Sequence, residues 1–247
     1  MLDGVINLGS GILSSVTEDS NTGVRLSTSN SANHGDIGNN AVDLSYSGSS
    51  SSTKGATGSY SVAMGYNTTA SGYYSTAMGY STTASGYSST AMGQNTTAGG
   101  TRSTAMGSFT TASDFASVVI GQFNSSGSSV TNNATSFSTS NTAFVIGNGT
   151  NSSNKSDAFK VLFNGDATVS NDLTVSGDVV ISSDARLKSN IVSLGSTLPK
   201  LLQIDGKSYE MKGKQKIGVL AQEIQEVFPE LVSEDDNEML AVNYQGL

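Results

Sequence analysis

Residues 58–71 read "GSYSVAMGYNTTAS", and the pattern returns as "GYYSTAMGYSTTAS" (72–85), "GYSSTAMGQNTTAG" (86–99), "GTRSTAMGSFTTAS" (100–113) and a degenerate "DFASVVIGQFNSSG" (114–127). The period is fourteen residues, split into two related heptads by glycines at Gly65, Gly72, Gly79, Gly86 and Gly93. A seven-residue period suggests a coiled coil, but a glycine in every heptad with Thr, Ser and Asn between is hostile to helix. Alternation within "STAMG" sets Thr76 and Met78 on one face of a short strand and Ser75 and Ala77 on the other. The glycine and the following polar pair supply the turn. Two short strands and two turns per unit make one coil of a β-solenoid, stacking at about 4.8 Å.

Each coil offers one Met or Ile and one Tyr as bulky apolar groups, too little to stabilise a lone solenoid. The small Ser/Ala face suits a thin coil interior, and the Thr/Met face suits packing against neighbouring chains. The sequence therefore predicts an oligomer whose shared axis buries Met64, Met78, Met92, Met106 and Ile120. Ice binding through the Thr array is disfavoured, because the aligned Thr76, Thr90 and Thr104 share their face with Met. A spacer without a ligand of its own remains an alternative to adhesion.

Composition agrees with a scaffold lacking a conventional core: 36% of the 247 residues are hydrophobic, 7% aromatic and only 13% charged, with no Trp. The net charge of −8 and the lack of a Lys/Arg stripe exclude a nucleic-acid partner. The chain has no cysteine and a single histidine, His34, which excludes disulfides and the usual zinc clusters. His34 is expected to be a loop residue. No cofactor or metal is expected, and no apolar run is long enough for membrane insertion. The start "MLDGVINLGSG" lacks the basic and apolar regions of a signal peptide.

Beyond the repeats, "GDATVS", "NDLTVS" and "GDVVIS" form three hexads. Asp166, Asp172 and Asp178 are read as turn residues rather than calcium ligands, since no clustered oxygen set accompanies them. Val169, Val175 and Ile181 are predicted to face a common axis in a narrow, intertwined β-connector.

From Ser183 the composition changes: this part carries seven basic and ten acidic residues, against five and ten in the far longer part before it, and both prolines, Pro199 and Pro229. The expected elements are a buried strand at Ile217 to Leu220, a helix from Ala221 to Val227 stopped by Pro229, a strand near Leu231 and another from Leu240 to Tyr244. The predicted organisation is an N-terminal β-rich or irregular segment (1–55), head repeats (56–150), a connector (151–182) and a small α+β domain (183–247).

Two resemblances follow from these motifs. "SVAMGYNTTASG" is similar to the head repeat of YadA-like trimeric adhesins, which implies a left-handed parallel β-roll that trimerises; Met stands where that family has Ile in four of five units, a volume-conserving change. The order "SDARLKSNI", "YEMK", "IGVLAQEIQEVFPELV" and "LAVNYQGL" resembles the C-terminal intramolecular chaperone of phage tail spikes and fibres, including endosialidases. That resemblance implies a domain that drives trimerisation and then cuts itself off, with Ser183 as nucleophile, Lys188 as base, Asp184 and Arg186 completing the motif, and cleavage between Ser182 and Ser183. It also implies long helices beyond the "VNYQGL" block.

The chemistry is sound on its own terms. A serine hydroxyl needs a neighbour to take its proton, and a desolvated lysine can serve. Residues five apart do not share a helix face, so the pair must meet in a non-helical segment or across two chains. The alternative is that Ser183 or Asp184 caps a short helix "ARLKSNI" with Lys188 solvated, the domain remaining attached as a trimerisation cap. The resulting expectation is a homotrimeric fibre or adhesin on a virion or bacterial surface, whose head meets a host-surface glycan or protein. A glycan-degrading spike lacks support, because no paired carboxylates occur in the head.

Overall fold

The computed structural model describes residues 12–125, 133–176, 178–234 and 238–244. The chain forms two compact units that divide after Ser176.

The fourteen-residue coil builds the first unit, which is mainly β. In each repeat a longer strand such as Thr76–Tyr80 is followed by a two-residue one such as Thr83–Ala84. Successive long strands pair parallel and in register, Thr76 with Thr90, Met78 with Met92 and Gly79 with Gly93. The short strands form a second parallel sheet in the same way. The corners stack too: Tyr74 N–H donates to the Ser59 carbonyl (3.0 Å) and Ser81 N–H to that of Tyr66 (2.8 Å). The turns therefore satisfy their backbone donors from the coil beneath. These corners are tight enough to need left-handed residues, with φ of 59° at Tyr74 and 51° at Ser81.

The interior is a column of small residues. Ala63, Ala77, Ala91 and Ala105 from the long strands, and Ala70, Ala84, Ala98 and Ala112 from the short ones, are fully buried. Ser75 and Thr82, with their equivalents in other coils, are buried beside them. Met64, Met78, Met92, Met106 and Ile120 lie on the outer face, half-buried or exposed. The alternation of "STAMG" thus sorts side chains as the strand period requires.

The coils sit too close for a side chain where the long strand meets its turn. Gly79 has φ 126°, and a Cβ there would run into the carbonyl of Gly93 in the next coil. Gly79→Ala is expected to cost about 1–3 kcal/mol in backbone strain alone and to lower the melting temperature by roughly 2–12 °C. Gly99→Ala is the control: its added methyl would have only Ser85 Oγ nearby, at 3.9 Å, and an unchanged melting temperature is expected. Equal melting of both variants would refute the close-approach argument.

The parallel ladder extends beyond the repeats, back through Val42–Tyr46 to Asn21–Leu26 and forward to Thr142–Asn148. Part of the segment before the repeats therefore belongs to the same stack. Antiparallel strands close both ends. Leu13–Glu18 folds onto Asn21–Leu26 through the two-residue turn Asp19–Ser20, both left-handed (φ 44° and 66°). Asp157–Leu162 pairs antiparallel with Thr142–Asn148 and then with Ala167–Val169. Leu13–Glu18 and Ala167–Val169 are thus the edge strands of the eleven-stranded sheet. At the end of the short sheet the amide of Asn124 stands in for a missing strand: Oδ1 accepts from Thr111 N–H (2.8 Å) and Nδ2 donates to the Thr111 carbonyl (3.1 Å).

His34 lies in a loop as expected, but it is buried rather than solvated. It belongs to a charged cluster that plugs the first coils. Arg25, 3% exposed, donates from Nε to Asp43 Oδ2 (3.2 Å) and makes a forked pair with Glu18 (2.8 and 3.1 Å). Asp43, fully buried, also accepts from Ser45 N–H (3.0 Å) and Ser45 Oγ (2.6 Å). His34 Nδ1 stands 3.1 Å from Asp43 Oδ2 without the alignment of a hydrogen bond. Burial pushes the Asp43 carboxyl up, but His34 and Ser45 beside it outweigh that and hold it below the ordinary aspartate value.

Among the described residues from Asn171 to Ser182 there is no strand, and Val175 and Ile181 are exposed. The expected β-connector thus has a strand at its beginning, Ala167–Val169, and no further strand among the described residues of the last two hexads. An extended segment pairs its N–H and C=O groups only if a neighbour supplies the complementary edge.

The second unit is a small α+β arrangement. Lys207–Met211 and Lys214–Gly218 form a hairpin about the left-handed pair Lys212–Gly213 (φ 52° and 72°). The helix Ala221–Val227 follows where the sequence placed it, ending at Phe228 before Pro229. It packs near the antiparallel pair Val232–Glu234 and Leu240–Val242, burying Ile224 and Phe228. Ile217 corrects the expectation of a buried strand: it is 85% exposed, because it lies in a two-stranded sheet with no layer over that face among the described residues.

Candidate self-cleavage site

The motif "SSDARLKS" forms one tight turn. Asp184, extended at φ −62° and ψ 133°, caps the 3-10 helix Ala185–Leu187 by accepting from Arg186 N–H at 2.8 Å. Its carboxylate also takes the Arg186 guanidinium, through Nε (3.0 and 3.2 Å) and a terminal nitrogen (2.7 Å). The hydrogen bond from Arg186 holds the Asp184 carboxyl below its usual value and, reciprocally, raises that of Arg186. The turn closes with Lys188 N–H on the Ala185 carbonyl (3.1 Å), after which Lys188 is extended again.

This reversal brings Lys188 back over Ser183. Nζ lies 2.7 Å from Ser183 Oγ. The helix-face objection to a spacing of five is met by a 3-10 turn flanked by two extended residues, within one chain. Asp184 does cap a helical turn, as the alternative reading expected, but that turn ends at Leu187 and Lys188 is engaged with the serine. Ser182, Ser183 and Lys188 are all exposed, as are the apolar side chains Ile181, Leu187, Ile191 and Val192 close by in sequence. The sequence places Ile181 on the connector axis and gives Leu187, Ile191 and Val192 no role; their apolar character on a solvent-facing segment is the available signal.

Residues 183–233 match the model of the chaperone of endosialidase, and two copies of the YadA head domain repeat match residues 56–82 and 84–110. The chain joins YadA head repeats to an endosialidase chaperone. It is thus an adhesin- or tail-fibre-like protein with a β-roll head and an intramolecular chaperone domain of an autoproteolytic family. Neither the curated proteins nor the solved structures contain a match. No helix among the described residues is long and apolar enough to cross a membrane.

Asp184 sets the turn, so its loss should act on the chaperone's serine at a distance. With Ser183 read as a cleavage nucleophile, Asp184→Ala is expected to slow fragment appearance several-fold without abolishing it, followed by gel densitometry over time. Cleavage at the wild-type rate would remove Asp184 from the positioning of Lys188.

Proposed function

We propose that the chain is a homotrimeric fibre or adhesin subunit, displayed on a virion as a tail fibre or on a bacterial surface, whose terminal domain promotes trimer assembly and then cuts between Ser182 and Ser183. The observation that carries the cutting is the 2.7 Å approach of Lys188 Nζ to Ser183 Oγ. Lys188 takes the hydroxyl proton as Ser183 Oγ attacks the Ser182 carbonyl. The tetrahedral species then expels the Ser183 amine, which takes a proton back, leaving an ester between the Ser182 carbonyl and Ser183 Oγ. Water hydrolyses that ester to the Ser182 carboxylate and a free Ser183 hydroxyl.

A lysine is an effective base only when its ammonium form is stripped of water. In the single chain this pair faces solvent. Three copies meeting through Ile181, Leu187, Ile191 and Val192 would dry the turn, and cutting would then report that assembly is complete. The same trimer would give the last two hexads partner strands and set Met64, Met78, Met92, Met106 and Ile120 against their counterparts. The head's partner is a surface glycan or protein. Light scattering on the purified native protein tests the assembly: three copies are expected, and a lone chain that nevertheless cleaves would overturn the coupling.

A further inference from the structure

We propose that Tyr60, Tyr73, Tyr74 and Tyr87 form a binding site for a neutral polysaccharide. The four rings make one continuous cluster at a corner of the roll. Tyr60 stacks on Tyr74 in the next coil with ring centroids 5.2 Å apart, and Tyr73 stacks on Tyr87 at 5.6 Å and 6°. The two stacks meet edge to face, Tyr73 on Tyr74 at 4.3 Å and 85°. All four are 41–48% exposed, an unusual concentration of aromatic surface in a chain with 7% aromatic residues.

Two observations select the occupant. First, the columns are local. Continuing the Tyr60–Tyr74 column coil by coil gives Ser88, Arg102 and Ala116, and the Tyr73–Tyr87 column begins at Ser59 and runs on to Thr101 and Phe115. An interface between identical parallel chains running along the stack would recur in every coil, as the column Met64, Met78, Met92, Met106 and Ile120 does. An aromatic island confined to a few coils instead marks a site for a ligand of limited length.

Second, no charged residue occurs between Lys54 and Arg102. Phenol rings give flat apolar surface and a hydroxyl at low entropic cost, while Ser and Thr supply further hydroxyls around them. That combination suits sugar rings, whose C–H faces are apolar and whose rims are hydroxyls, while Arg102, the cation of the same columns, lies over the Phe115 ring at 5.3 Å. The coil spacing of about 4.8 Å also approximates the length of one pyranose unit.

The proposal rests on the reading of the head as a surface-displayed module, and its test separates the two. The full chain is run in native gels containing dextran, galactomannan or xyloglucan, with polygalacturonate as the acidic comparison. The double variant Tyr73→Thr/Tyr74→Ser uses residues that the same columns carry in other coils, so the roll tolerates them. Retardation by at least one neutral polymer, weakened tenfold or more in the variant at unchanged oligomeric mass, is expected. Wild type unretarded by all three, equal retardation of the variant, or retardation by polygalacturonate alone would overturn it. Loss of oligomeric mass in the variant would also overturn it, by making the cluster an interchain contact. A trimer that cleaves normally yet binds no neutral polymer sinks this site and leaves the fibre reading intact.

Discussion

On the proposed self-cleavage, Ser183→Ala and Lys188→Ala are each expected to yield a single full-length mass under denaturing conditions, and the wild-type chain two fragments whose new ends are Ser182 and Ser183. The effect is the largest expected because the serine supplies the bond-forming atom, and loss of a positioned base alone costs about 10²–10⁴ in rate. Lys188→Arg discriminates further. Arginine keeps the positive charge and a donor for Ser183 Oγ, which at 2.7 Å from Nζ is all that a structural pairing requires, but it does not surrender its proton near neutral pH. An uncut Lys188→Arg chain with wild-type oligomeric mass therefore identifies a base, and a cut one identifies a tether. Two fragments from Ser183→Ala would remove the nucleophile assignment altogether. Hydroxylamine added during wild-type cleavage should intercept the ester and leave a hydroxamate on the Ser182 end.

Arg25→Met opens the first coils of the roll. The guanidinium joins two carboxylates, Asp43 at 3.2 Å and Glu18 at 2.8 Å, and its removal leaves a fully buried carboxylate facing an apolar side chain. Breaking a buried pair from one side costs about 3–5 kcal/mol. Removing Asp43 instead should cost less, since Arg25 would keep Glu18. In a stacked fold the damage appears as local opening at the affected end, so the readout is amide exchange. The Ile37 N–H donates to Glu18 Oε2 at 2.8 Å and Val24 N–H to the Ala41 carbonyl at 2.9 Å. Their protection is expected to fall by about 10²–10³-fold, with amides near Ala91 unchanged. Protection at Ile37 within threefold of wild type would refute the plug. Because Asp43 is held below its ordinary value, its contribution is complete above about pH 4 and is lost as the pH falls through the lower value of the folded state. Acid should open this end before the repeats.

The roll was legible because its information is periodic. Fourteen residues between equivalent positions, a strand alternation of two and glycine where coils touch are each visible in one line of sequence. Together they place Ala77 inside and Met78 outside without knowledge of any distant residue. The helix Ala221–Val227 was legible for the same reason, a local apolar pattern with a proline after it. The motif from Ser183 to Lys188 could be recognised as a set of residue types, but the spacing of five argued only against a shared helix face.

Tertiary structure decided what periodicity does not encode. The cap from Asp184 and the single 3-10 turn bring Lys188 to Ser183, a contact that depends on one backbone reversal rather than on spacing. Strand register brings Glu18, Arg25, His34 and Asp43 together from separate strands and a loop, turning a histidine expected in a loop into a buried group. Exposure of Ile217 likewise reflects which layers cover a hairpin, and an apolar residue in a strand has no local means of specifying its cover. Sequence alone determined the repeating coil and its inward and outward faces, because strand alternation is a property of the backbone. The folded chain alone determined the charged plug and the serine–lysine contact, because each requires side chains separated along the chain to converge at hydrogen-bond distance.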